Sequence, residues 1–231
     1  MPLRYYLYVS KSKVDQLFEQ IPAKRLGKIA KKLTIDLKAI KVEFGGVGEP
    51  PSQQSVYAKL RIVEDYLNRE EVLYDVDDPE LVSPGTFFAG VMPLRWGRLL
   101  GTAPGNPSGV VYFSGRTRKT MLGMGGSERH VVGAAEGAQS IGFASGRPDL
   151  IEAMQHSQEF AQDNESWIGH QVPDALPGLM WHAEVKTGPA AKMRFLGVML
   201  QLEWFDFELP DDKNKVRRAL LGTPLYVAFE Q

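Results

Sequence analysis

The residues whose types and spacing come nearest to doing chemistry lie in the run "LGMGGSERHVVG", where Gly123, Gly125 and Gly126 precede Ser127, and His130 follows three positions later. Successive glycine N–H groups at a helix start can form a nest for an anion. Arg116, Arg118 and Lys119 in "GRTRKT" stand just upstream and would add cationic donors for a phosphate or carboxylate. The run has neither the Gly-Lys-Ser/Thr ending of a Walker loop nor the strand–helix–strand setting of a dinucleotide fingerprint. Two readings stay open: a structural turn with Ser127 as helix N-cap, or a small-anion or nucleotide site built from Gly125, Gly126, Ser127, His130, Arg116 and Arg118.

Ser127 and His130 do not make a hydrolase by themselves, because an orienting acid, an oxyanion hole and a nucleophile-elbow pattern are missing. No catalytic residue is assigned. The four histidines, His130, His156, His170 and His182, show no metal-ligand spacing, although His182 and Glu184 would share a strand face, so no metal and no cofactor are expected. The segment Lys24–Lys41 carries seven basic residues against Asp36 alone, a solvated face or a surface for phosphates or an acidic partner. The acidic stretches Glu64–Glu80 and Glu203–Asp212 are its natural counterweight. Arg116, Arg118 and Lys119 also form a candidate protease-accessible loop, being basic residues among small polar ones. Trp96, Trp167, Trp181 and Trp204 read as core or sheet residues.

Hydrophobic periodicity supplies the elements that would position these groups. Tyr5–Ser10 reads as a strand, followed by a helix capped by Ser12 and ended by Pro22, with Val14, Leu17 and Phe18 on one side. "AKRLGKIAKKL" is an amphipathic basic helix with Leu26, Ile29, Ala30 and Leu33 on its apolar stripe. "TIDLKAIKVEFGG" alternates with one slip and predicts a bulged strand, and Ser55–Arg69 resumes helical spacing. Phe87–Trp96 and Val110–Ser114 predict a hairpin, and Met180–Val185 with Phe195–Phe207 a second one. His130–Gln139 reads as a weak helix, Pro148–Gln162 as a clearer one, Lys213–Leu221 as a short helix or turn, and Leu225–Phe229 as a closing strand. Both chain ends are expected to join the sheet.

Composition bounds the class. Apolar residues are 43% and charged residues 24%, so the chain can fold, and 231 residues suffice for one α+β domain over 1–231 with a largely antiparallel sheet and packed helices. With 27 Lys and Arg against 28 Asp and Glu, no global field draws nucleic acid. The absence of cysteine fits a cytoplasmic address, and no apolar run is long enough for a membrane span.

"FFAGVMPLRW" recurs as "FLGVMLQLEW", and each copy is followed downstream by a Gly-Ser/Thr element, "GSERHV" and "GTPLYV". Either short apolar strings ending in tryptophan recur by composition, or the chain holds two pseudo-symmetric halves, 1–133 and 134–231, with Gly126 and Gly222 in equivalent turns.

"YYLYVSKSKVDQL", "FFAGVMPLRWG", "GMGGSERHVVG" and "LLGTPLYVAFE" together resemble, over the full length, a family of uncharacterised bacterial proteins. The resemblance carries no catalytic residue. It implies bacterial conflict or signalling loci, with caspase-like peptidases or NTPases alongside. The expectation is therefore a non-enzymatic signalling or antiviral-defence protein acting through protein contacts, ligand-switched or cleaved by a partner protease. The alternative is an anion- or nucleotide-binding protein, more weakly an enzyme, using Gly123–His130.

Overall fold

The computed structural model describes residues 4–37, 53–100, 107–134, 189–208 and 215–230. They cluster into two compact units, Ser10–Leu73 and Met1–Val9 with Tyr74–Gln231.

The first unit is helical: α1 (Lys11–Gln20), α2 (Ala23–Leu33) and α3 (Gln53–Arg69), with α3 packed on both others. Apolar residues at helical spacing drive this. Val14 and Phe18 of α1, Leu26, Ile29 and Ala30 of α2, and Val56, Leu60, Val63 and Leu67 of α3 are all buried. α1 starts at Lys11 rather than after Ser12, and Ser10 occupies the cap position without a side-chain capping bond. Pro22 separates α1 from α2, since its ring cannot continue the first helix. α2 stops at Thr34, whose left-handed backbone (φ 56°) lets the Ile35 N–H reach the Ala30 carbonyl at 2.9 Å. Thr34–Leu37 is not strand, and the rest of the predicted bulged strand lies outside the described residues. Lys59, almost fully buried, donates to Asp15 Oδ1 at 2.7 Å and lies over the Phe18 ring.

The second unit is built from strands: β1 (Tyr5–Val9), β2 (Leu73–Asp75), β3 (Phe87–Leu100), β4 (Pro107–Arg116), β5 (Thr120–Ser127), β6 (Ala191–Glu208) and β7 (Lys215–Phe229). β3, β4 and β5 pair antiparallel in succession, β6 returns beside β3, and β7 closes the ring between β5 and β6. This is a Greek-key barrel of five strands, with the connectivity of an OB barrel, and β5–β7 is its parallel pair. β2 extends it beside β3 and β1 beside β7. The class is α+β, with strands predominating.

Several expectations change. Lys213–Leu221 is not a helix or turn; from Lys215 it is the first half of β7. Arg218–Gly222 lies between β5 and β6, and the second half lies between β6 and β1, and from Arg218 to Ala228 the strand is buried on both faces. Among the described residues β6 pairs with β3 and β7, and the predicted Met180–Val185 hairpin arm, Pro148–Gln162 and the rest of the segment from Ala135 lie outside the described residues. The pairing of the chain's two ends holds: Tyr5 faces Phe229.

Each of the five barrel strands places one glycine toward the interior. The Phe195 ring fills the space over Gly90, the Phe88 ring that over Gly197 and Gly222, and Tyr8 that over Gly126, while Gly115 lets the β3 backbone pass close. A Cβ on Gly222 would stand 2.7 Å from Phe88, and one on Gly126 would stand 2.5 Å from the Tyr8 ring. The sequence echo acquires a physical meaning here. Phe88 faces Gly197 and Gly90 faces Phe195 across the β3–β6 ladder, so each Phe-x-Gly string lays its ring on the other's glycine. The rings meet edge to face at 6.0 Å. Gly126 and Gly222, by contrast, are not in turns; both lie within strands.

Gly126→Ala should destabilise the protein by about 1–3 kcal/mol through overpacking. Adding Tyr8→Phe, which removes the nearest atom, should recover part of that loss. Denaturant midpoints of the two singles and the double measure this, and strict additivity would contradict it. In the helical unit, burial pushes the Lys13 ammonium from its ordinary 10.5 down to about 8. Between those values the unfolded chain holds the extra proton, so stability should rise with pH across that interval. Lys13→Met should remove this rise in melting temperature.

Candidate functional site

The glycine-rich run is a strand, which corrects the expectation of a turn. Met121–Ser127 pairs residue by residue with β4, from Arg116 opposite Met121 to Val110 opposite Ser127, and Thr120–Met124 also pairs with β7. Along a strand consecutive N–H groups point alternately to the two sides, so the glycine donors enter ladders instead of converging on one anion. The glycines answer a steric need: Gly126 faces inward beneath Tyr8. Where β7 leaves β5, Thr223 Oγ1 donates to the Gly125 carbonyl at 2.9 Å.

The predicted site residues divide between the two ends of this strand. At one end Ser127 precedes a single 3-10 turn, Glu128–His130, in the cap position but without a side-chain capping bond. Buried Glu128 pairs with Arg98 at 2.5 Å, and His130 packs its ring edgewise on Tyr8 at 5.9 Å. At the other end Arg116 closes β4, and Arg118 and Lys119 are exposed on the hairpin turn. From Thr120 to Ser127 an extended chain covers about 23 Å. Arg116, Arg118 and Lys119 therefore form one group, and Gly125, Gly126, Ser127 and His130 another.

The hairpin turn is held tightly. Thr117 Oγ1 accepts from the Lys119 and Thr120 N–H groups at 3.1 and 3.0 Å and donates to Asp77 Oδ1 at 2.7 Å. Arg118 and Lys119 are thus accessible, in a closed turn rather than the extended form that a protease threads.

One feature was not legible as a site. Arg218, an inward residue of β7, is only 2% exposed. Its guanidinium donates to Thr120 Oγ1 at 2.7 Å, to the Val76 carbonyl at 2.6 Å and to the Asp78 carbonyl at 2.8 Å. Burial lowers its pKa, and Asp77, Asp78 and Asp75 oppose that by favouring the cation. Trp204, opposite Arg218 in the ladder and stacked on its guanidinium, is 58% exposed, a sheet residue rather than a core one. Strand alternation places both on the inward-facing stripe beyond Leu202 and Leu220, where the barrel interior ends, and only the pairing register shows that.

The solvent side of α2 carries the first part of the basic segment Lys24–Lys41. Arg25 and Lys32 lie on the flank toward α3 and pair with Glu70 at 3.4 Å and Asp65 at 3.0 Å, so part of the predicted acidic counterweight is Asp65 and Glu70. Lys24, Lys28 and Lys31, at i, i+4 and i+7, are exposed and have no acidic partner among the described residues. Between them Gly27 has nothing within 4 Å of a built Cβ. Among the described residues no three His, Asp or Glu side chains gather into a metal-binding group, and no helix is long and apolar enough to cross a membrane.

A family model described as "Family of unknown function (DUF7019)" matches residues 4–231. The chain belongs to that family. No curated protein and no solved structure matches it. The family match covers both the helical unit and the barrel, so the lysine face of α2 and the Arg218–Trp204 pair both fall within the family's span.

Removing the Thr117 hydroxyl should open the β4–β5 turn. In limited proteolysis with trypsin, Thr117→Ala should be cut after Arg118 and Lys119 several times faster than the parent, at unchanged rates elsewhere. Equal rates at that turn would show that Thr117 does not hold it.

Proposed function

We propose that the chain is a non-enzymatic protein-binding module whose α2 face, Lys24, Lys28 and Lys31, receives an acidic surface of a partner protein. The observation that carries this reading is the selective neutralisation of α2. Its two flank cations are paired by α3, while three neighbouring lysines over about 10 Å of helix are left to solvent. Twelve Lys and Arg stand against nine Asp and Glu between Ser10 and Leu73, so this unit carries +3 and the rest of the chain −4. A segregated field of this kind steers association and selects the partner.

A nucleic-acid partner fits less well. OB barrels bind oligonucleotides on the face of their second and third strands. Here that face belongs to β4 and β5, and Val110, Tyr112 and Ser114, which alternate with the core residues Val111 and Phe113, are buried. In the signalling or defence setting implied by the family resemblance, a peptidase or NTPase encoded beside this protein is the natural partner class.

The triple variant Lys24→Glu, Lys28→Glu, Lys31→Glu should lose at least about tenfold in affinity for such a partner in pull-down and calorimetry, an electrostatic effect that raised salt reproduces in the parent. Arg25→Gln with Lys32→Gln should bind nearly as the parent does. Binding that survives the triple reversal, or a monomer that binds none of the neighbouring gene products, would overturn the proposal. An anion site would declare itself differently: phosphate or ATP would raise the melting temperature, and either Arg118→Ala or Ser127→Ala would abolish the rise.

A further inference from the structure

We propose that the partner element received by α2 is an acidic α-helix that crosses it at Gly27 and sets its carboxylates against Lys24, Lys28 and Lys31. This rests on the reading of the lysine face and adds the occupant's shape to its charge.

Gly27 stands inside an 11-residue helix, where glycine is a poorer helix former than alanine. The fold makes no use of it. It is exposed, and a Cβ built on it meets nothing within 4 Å, whereas Gly90, Gly126, Gly197 and Gly222 of the barrel each lie beneath a ring. Packing within the chain therefore does not account for Gly27, and close approach of another backbone does. On a helix surface the neighbours of a residue stand three and four positions away, which here are Ala23, Lys24, Ala30 and Lys31. Gly27 thus leaves a dent walled by two of the three exposed lysines. It lies on the side of the lysine row away from Arg25 and Lys32, the flank that Glu70 and Asp65 of α3 neutralise.

The dent and the lysines together select a helix. Packed helices lie about 8–10 Å apart according to the side chains at the contact, and a missing side chain at the crossing point allows the closest of these distances. Lys24, Lys28 and Lys31 are separated along the axis by rises of about 6.0 and 4.5 Å. Carboxylates at i, i+4 and i+7 of a second helix, inclined by about 20° to the first, have the same rises and flank the contact as the charged rows of a coiled coil do. A strand presents same-face carboxylates only at multiples of about 6.7 Å. A phosphate backbone would meet the lysine tips without needing the dent, and the helical unit of a second copy carries the same +3 charge and is repelled.

The test uses the full chain, labelled with 15N, with the Gly27 amide resonance assigned by its loss from the glycine region in Gly27→Ala. Three probes are titrated. The first is an 18-residue peptide of alanine and glutamine with glutamate at positions 6, 10 and 13, held helical by a hydrocarbon staple on its opposite face. The second has the same glutamates, no staple and two interior prolines, and the third is inorganic phosphate. The stapled peptide should move the Gly27 resonance saturably, with half-saturation at least about fivefold below that of the proline peptide. Gly27→Leu should weaken the stapled peptide at least about fivefold while raising the melting temperature by about 2–4 °C, opposite signs that a purely structural glycine would not give. No shift up to about 10 mM stapled peptide would overturn the proposal. So would equal binding of the proline peptide, parent-like binding by Gly27→Leu, phosphate displacing the stapled peptide equally from the parent and from Gly27→Leu, or a shift that follows protein concentration alone. The triple variant Lys24→Glu, Lys28→Glu, Lys31→Glu separates the two readings. If it binds the stapled peptide as the parent does, the lysine face itself is wrong; if it loses binding while Gly27→Leu keeps it, the lysine face stands and the helix falls.

Discussion

The barrel closes because rings occupy the space its glycines leave. Five strands enclose an interior too narrow for a large side chain from every inward position, and alternation of large with small is the way such a core fills. Phe88 and Phe195 stack over Gly90, Gly197 and Gly222, and Tyr8 over Gly126. The reciprocal lay of Phe88 and Phe195 sets the β3–β6 register, since a slip of one residue would turn each ring to the outer face and set a bulky residue against its partner. Tyr8 does the same for the chain's beginning. Its ring, between Phe113 and His130, fixes β1 beside the second half of β7, and the Val132 N–H bonds the Leu7 carbonyl on the other edge.

That packing determines where charge can go. β7 serves three neighbours and is buried on both faces through its described middle, and β4 and β5 are buried on both faces from Val110 to Ser114 and from Thr120 to Gly126. Two polar side chains caught in this part, Arg218 and Thr223, spend their donors on backbone carbonyls and on Thr120. Arg218 supplies three donors to Thr120, Val76 and Asp78 at the end of the barrel, and Thr223 covers the Gly125 carbonyl where β7 changes partners. The bidentate Arg194–Glu230 pair, partly exposed, holds the Glu230 carboxyl below its usual range. With the outer faces of β4, β5 and the middle of β7 so occupied, accessible groups in the described residues are left to the outer face of β3 and β6, the turns, the strand ends and the helical unit.

The helices were legible because a stripe at i, i+3 and i+4 has one physical reading, and the predicted apolar residues of α1, α2 and α3 are largely the buried ones. The β3–β4 hairpin was legible for the same reason in period two. The glycine run was not. A glycine that makes room for a ring 118 residues away along the chain has the same local composition as one that makes a turn, and only the position of Tyr8 separates the two. "KVRRALLG", read as part of a short helix or turn, is strand, and one of its two adjacent arginines, Arg218, is buried at the end of the barrel. The Phe-x-Gly echo was visible as a string, while its reciprocal pairing is a property of register, which no string contains.

The same contrast explains why the surface carries more functional information than the glycine run. α3 places Asp65 and Glu70 where they neutralise Lys32 and Arg25, so among the described residues acids are supplied to one flank of α2 only. Isolated exposed pairs of this kind contribute at most about 1 kcal/mol to stability, and the energetic pressure to complete the set is correspondingly weak. Gly27 adds a cost with no internal return: a glycine inside a helix is about 0.5–1 kcal/mol worse than alanine, and here no neighbour within 4 Å requires the missing Cβ. Stability alone would put alanine at that position. A partner backbone drawn in by the three lysines and approaching closely at Gly27 would give the glycine a use that the isolated fold does not.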